Sequence, residues 1–93
     1  MKDKLVGKFF HSIKDDTICW QGRIDSKVAN GLYLVITYDW MMGMAHGETM
    51  VRVEDMVGWL FYDSNKEMIA SYEHGPARSK RSDIKKMYEA KEA

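Results

Sequence analysis

The sequence predicts a mainly β fold: five short strands, then a short helix, then a charged C-terminal tail. Three observations carry this. From Gly31 to Trp40 the even positions are Leu32, Leu34, Ile36, Tyr38 and Trp40, and the odd ones are Tyr33, Val35, Thr37 and Asp39. Successive side chains of a strand point to opposite faces, so one face here is wholly apolar or aromatic. The stretch Thr17 to Asp25 alternates as cleanly, and a turn-forming Asn30-Gly31 pair lies between the two. Further on, Ser64 and Glu67 have capping-box spacing, and Gly75-Pro76 is the order of a helix stop.

Taken in order, Val6 to Ile13 reads as the first strand. Phe9, His11 and Ile13 share one face; Val6, Lys8, Phe10 and Ser12 share the other. Each face carries a phenylalanine, so the inward face stays open. Lys14-Asp15-Asp16 is the turn that follows. In the second strand, Thr17 to Asp25, Ile18, Trp20, Gly22 and Ile24 lie opposite Thr17, Cys19, Gln21, Arg23 and Asp25.

The hairpin register can be worked out. A two-residue I′ turn at Asn30-Gly31 would pair Ala29 with Leu32, and then Asp25 with Ile36, mixing charges into the apolar row. A one-residue slip reverses every side chain, so that register should lose. A three-residue loop, Ala29-Asn30-Gly31, with Gly31 left-handed, pairs Val28 with Leu32, Ile24 with Ile36, Gly22 with Tyr38 and Trp20 with Trp40. It turns the apolar rows of both strands inward and Tyr33 outward. A missing side chain at Gly22 leaves room for a ring or for a sharp bend.

Met41 to Glu48 reads as a loop and Thr49 to Val53 as the fourth strand, with Val51 and Val53 inward. Glu54 to Gly58 is an acidic turn with room for one turn of 3₁₀ helix. Trp59 to Asp63 is the fifth strand. The helix spans roughly 65–74, with Met68, Ile69 and Tyr72 as its apolar stripe. Residues 77–93 form a basic tail of helix-forming composition, with Ile84, Met87 and Tyr88 at i, i+3 and i+4. The division is thus a body, 1–76, and a tail, 77–93.

This order of elements resembles the small SH3-like barrels, Tudor-like domains among them, over about residues 5–63. The resemblance implies a partly open, strongly bent five-stranded barrel whose loops and aromatic rim bind peptides, modified side chains or nucleic acid. For an aromatic cage with an acid, it points to Tyr33, Tyr38, Asp39, Trp40, Phe61 and Tyr62.

Bulk properties narrow the function classes. The chain has 93 residues, enough for one domain with one core. Its longest apolar run, Leu32 to Ile36, is far too short to span a membrane, and the N-terminus lacks the apolar core of a secretory signal. The single cysteine, Cys19, cannot form an internal disulfide, so a reducing cytoplasm is the expected compartment. Net charge is zero but unevenly spread: residues 1–77 hold 8 Lys/Arg against 11 Asp/Glu, and residues 78–93 hold 6 against 3. A neutral total argues against general nucleic-acid binding through the body, while the basic tail keeps that reading open.

No constellation argues for catalysis. His11, His46 and His74 have no metal-ligand spacing, and one cysteine cannot build a zinc site. His46 with Glu48 offers two ligands, too few for a good metal site. Cys19 has no evident base or oxyanion donor. The acidic pairs Asp15-Asp16 and Glu54-Asp55 suit solvated turns. No cofactor is expected. The exception is the stretch after the central strand, where four of eight methionines fall between Met41 and Met50. Methionine adapts to irregular partners and is over-used at binding surfaces; equally, these side chains could fold back over the barrel.

The leading expectation is therefore a non-enzymatic protein-interaction module. Its contact surface would be Trp40, Met41, Met42, Met44 and His46, with the tail as a second docking element. Self-association through that loop or an edge strand is the simplest form, and peptide binding the other. The alternative is a nucleic-acid binder using Arg78, Lys80, Arg81, Lys85 and Lys86 with exposed aromatics such as Tyr33.

Overall fold

The computed structural model describes residues 3–38 and 45–82. In chain order these form β1 (Phe9–Lys14), β2 (Thr17–Ala29), β3 (Leu32–Tyr38), β4 (Ala45–Arg52), a 3₁₀ turn (Val53–Met56), β5 (Leu60–Tyr62), α1 (Asn65–His74) and a second 3₁₀ turn (Arg78–Lys80). The strands make one antiparallel sheet in the order β4-β3-β2-β1-β5. The sheet is open, with β4 and β5 as its edges among the described residues. No helix among the described residues is long and apolar enough to cross a membrane.

β1 and β2 join through Asp15-Asp16, both at positive φ (53° and 59°), between the paired Lys14 and Thr17. Two left-handed residues in a row give the twist a tight hairpin needs, and aspartate tolerates that region better than most side chains. Three strand boundaries differ most from expectation. β1 begins at Phe9 rather than Val6. β2 runs on to Ala29, and β4 begins at Ala45, so residues 45–48 are strand rather than loop. Val53 lies in the 3₁₀ turn and is 40% exposed, so it does not point inward as expected; Val51 does pack against the core.

The β2–β3 hairpin corrects the expected register. Gly31 is left-handed (φ 72°) as anticipated, and Lys27 faces Tyr33 as the three-residue loop requires. However, Ala29 rather than Val28 faces Leu32, so the loop closes on two residues. A second irregularity at Asp25 then shifts the pairing by one: Ile24 meets Val35, Arg23 meets Ile36, and Gly22 meets Thr37 instead of Tyr38. A bulge of one residue exchanges which row of the partner strand shares a face. The inward row of β3 is therefore Tyr33, Val35 and Thr37, all buried, while Leu32, Leu34, Ile36 and Tyr38 are half-buried on the outer face. The expected pairing of Trp20 with Trp40 falls on a residue outside those described.

At Gly22 the strands come very close. A Cβ there would lie 2.1 Å from the Ile36 carbonyl oxygen. Only glycine permits that approach.

β1 separates two cores, which answers the question of its inward face. On one side Phe10, Ile24, Tyr33, Val35 and Met56 form the barrel core, with Leu5, Val51 and Trp59 packed against it. On the other, α1 covers His11, with Met68 and Ala77 fully buried. α1 starts with half of the expected capping box: Ser64 Oγ accepts from the Glu67 N–H (3.1 Å), but Glu67 Oε2 accepts from the Asp63 N–H (2.9 Å), one residue before the Ser64 N–H that the box would use. Gly75 caps its C-terminus in an extended conformation; a Cβ there would sit 2.8 Å from Ser71 Cα. The chain does not leave the body at 77, because Ala77 is buried and its N–H donates to Ser71 Oγ (3.1 Å).

Candidate functional site

The barrel core runs out of cover near the β1–β2 turn. There the pairing shifts again: Ser12 faces Trp20, but Ile13 faces Ile18, leaving Cys19 as the extra residue. Ser12 makes good the interrupted ladder, its Oγ accepting from the Trp20 N–H (2.9 Å) and donating to the Trp20 carbonyl (3.4 Å). Bulges commonly re-aim a side chain. Trp20 stands on the inner face with Gly22 and Ile24, yet it is 52% exposed.

Opposite it is Trp59, carried by the short link between the first 3₁₀ turn and β5. Its ring stacks on Phe10 (centroids 4.9 Å apart, planes at 20°) and lies 6.4 Å from Phe61. Trp20, Trp59 and Ser12 line two adjoining hollows. One, about 230 Å³, continues over Val35, Thr37, Thr49 and Val51; the other, about 400 Å³, opens past Cys19 toward Lys14 and Asp55. Much of the lining is apolar, and the Ser12 and Thr37 hydroxyls are engaged by the main chain, Thr37 Oγ1 donating to the Gly47 carbonyl (3.3 Å). The rim carries one positive and one negative residue. Such a cleft can take an apolar or aromatic side chain with a length of backbone beside it. Cys19 is exposed on its wall, and no histidine is among the lining residues.

The strongest shift in protonation lies elsewhere. His11 is completely buried between the sheet and α1. Its Nδ1 is 2.7 Å from Tyr62 Oη, and its Nε2 is 3.3 Å from Gln21 Oε1. Tyr62 Oη in turn donates to Ser71 Oγ (2.8 Å). Burial disfavours the charged ring and pulls its pKa down to about 4, against a smaller upward pull from Gln21. This network ties β1, β2, β5 and α1 together away from the cleft. Among the described residues, no group of three or more His, Cys, Asp or Glu side chains could hold a metal ion.

Of the residues singled out in the sequence, Trp40, Met41, Met42 and Met44 lie outside the described residues, as do Lys85 and Lys86. His46 belongs to β4, not to a loop. Arg78 is exposed, but Lys80 pairs with Asp16, and Arg81 lies over the Tyr72 ring at 4.4 Å. Tyr33, expected to be an exposed aromatic, is 6% exposed and donates to Asp3 Oδ2 (2.7 Å). The described aromatics of the anticipated cage are dispersed. Tyr33 is in the barrel core, Tyr38 lies against Phe9 on the outer face, and Tyr62 lies beside His11 at the helix. Trp20 and Trp59, which do meet at one cleft, were not singled out. Exposure of Trp20 depends on a bulge and on where the core's cover ends, neither of which leaves a residue pattern.

No protein family, curated protein or solved structure matches the chain.

Proposed function

We propose that the chain is a non-enzymatic interaction module, an SH3-like small barrel that receives an extended segment of a partner protein in the cleft between Trp20 and Trp59. The observation that carries this is the half-exposed Trp20 indole facing a second tryptophan fixed by stacking on the core. A large rigid aromatic left half in water over a largely apolar lining is the type of group that dominates binding when covered. The opposite charges of Lys14 and Asp55 at the rim suit a peptide, which can present both signs. The strand order supports the barrel reading, since it sets the first and last strands side by side and lets one long strand, β2, serve both halves of the sheet. The basic residues support a nucleic-acid role less well, with Lys80 and Arg81 drawn back onto the body.

Selection of peptides from a random library on the intact protein tests this. Selected peptides should quench or shift tryptophan fluorescence. Their affinity should fall about tenfold or more in Trp20→Ala. A maleimide of peptide size on Cys19 should block them. Peptides that bind Trp20→Ala and the Cys19 adduct as well as the unmodified protein would place recognition elsewhere.

A further inference from the structure

Among the described residues β4, eight residues long, is an edge strand. An edge presents main-chain N–H and C=O groups that a further strand can satisfy. Gly47, Glu48, Thr49 and Met50 are all exposed, Met50 at 57%. Pairing with β3 places Glu48, Met50 and Arg52 on the outer face, beside Ile36, Leu34 and Leu32 in turn. Proteins usually guard such an edge with charge, but here the two charges have opposite signs and stand two residues either side of an exposed apolar one. Among the described residues, neither Glu48 nor Arg52 forms an ion pair.

We infer that β4 pairs antiparallel with β4 of a second copy of this chain, about a two-fold axis through Met50. In that register each Glu48 faces the other copy's Arg52, and the two Met50 side chains meet at the axis. Three other arrangements oppose like charges. An axis through Glu48 sets glutamate against glutamate, one through Arg52 sets arginine against arginine, and in-register parallel pairing opposes like charges at both positions. A single two-fold axis also closes the assembly at two copies, with the same patch used on both. The pairing gives the outer apolar row of β3 a continuation, since Leu34 lies beside Met50 and Met50 beside its symmetry mate. On the inner face it brings Thr49 and Val51, one wall of the cleft, to the axis. The inference does not rest on the peptide-binding reading, because Trp20 and Trp59 take no part in it.

Sedimentation velocity of the full chain over a concentration series tests it. The wild-type chain should show a reversible monomer–dimer equilibrium. Glu48→Arg and Arg52→Glu should each weaken the dimer about tenfold or more, since each replaces two attractions with two repulsions. An equimolar mixture of the two variants should recover it as a heterodimer, and the double exchange should recover the homodimer. Both positions are on the surface, and circular dichroism checks that the fold is kept. A wild-type chain that stays monomeric throughout overturns the inference. So does a dimer indifferent to both single variants, or a mixture that fails to recover association. A wild-type chain that binds peptides but forms no dimer would count against this inference and leave the cleft reading standing; a wild-type dimer that selects no peptide at the cleft would do the reverse.

Discussion

His11 must stay neutral for the helix to remain seated. Its ring is enclosed by Tyr62, Gln21 and Tyr72; Tyr62 Oη gives its own proton to Ser71 Oγ and accepts from Nδ1–H, which leaves the Nε2 lone pair toward the Gln21 carboxamide, a group that can turn either a donor or an acceptor to it. In the unfolded chain the same ring titrates near its ordinary 6.5, against about 4 when folded. Above pH 6.5 neither state is protonated, and His11 makes no pH-dependent demand. As the pH falls below 6.5 the unfolded chain takes up a proton that the folded one refuses, so stability falls until about pH 4. At 1.36 kcal/mol per unit, the full effect is about 3 kcal/mol. Urea midpoints should therefore hold from pH 7.5 to about 6.5 and decline from there to 4.5, and the decline should vanish in His11→Gln. Asp3, whose carboxyl is held below its ordinary 3.8 chiefly by the Tyr33 hydroxyl, loses its contribution only at lower pH and does not blur this window. A flat wild-type profile would mean that the ring is hydrated or already charged. Nothing in the sequence marked this residue as a keystone, because Tyr62 and Ser71 reach it from 51 and 60 positions away.

At the level of elements, β2 does the shaping. It is 13 residues long and pairs with β1 on one side and β3 on the other. Gly22 lets the β3 backbone approach where an added Cβ would meet the Ile36 carbonyl at 2.1 Å. The obstacle is main chain, so no rotamer change relieves it. Gly22→Ala should cost about 3 kcal/mol or more, at the top of the overpacking range, and should lower the thermal midpoint sharply. A near-neutral effect would show that the bend does not depend on this residue. The strands, the hairpin position and α1 at 65–74 were legible because alternation, turn chemistry and caps are local signals. The bulges were not. Inserting Asp25 as an extra residue between Ser26/Leu34 and Ile24/Val35 is a decision of the sheet as a whole, made because it puts Ile24 against Val35 inside and keeps Arg23 outside. Unbroken alternation instead put the even row of β3 inward and lost Tyr33, Val35 and Thr37 to the surface. The cleft was lost to the same blindness, since the bulge at Cys19 is what leaves Trp20 in the open.

The whole molecule is two small cores that share one wall. Phe10 and His11 are neighbours in β1, yet Phe10 packs under Trp59 in the barrel and His11 lies under α1. A strand cannot release one face and hold the other, because both depend on the same main-chain ladder to β2 and β5. Neither core is large enough to stand alone in a chain of this size. The molecule should therefore unfold in one step, although its cores lie on opposite sides of a sheet. The measurement follows from where the reporters sit. Tryptophan fluorescence in a Trp40→Phe background, where Trp20 and Trp59 are the reporters, reads the barrel side, and the far-ultraviolet helix signal reads α1. The two denaturation curves should coincide. Met68→Ala, which removes a fully buried side chain on the helix side only, should lower both midpoints together, by an amount equal to about 2–5 kcal/mol. If fluorescence kept its wild-type midpoint while the helix signal melted early, α1 would be an appendage on an independent barrel. His11 would then be a local latch rather than a link between the two halves.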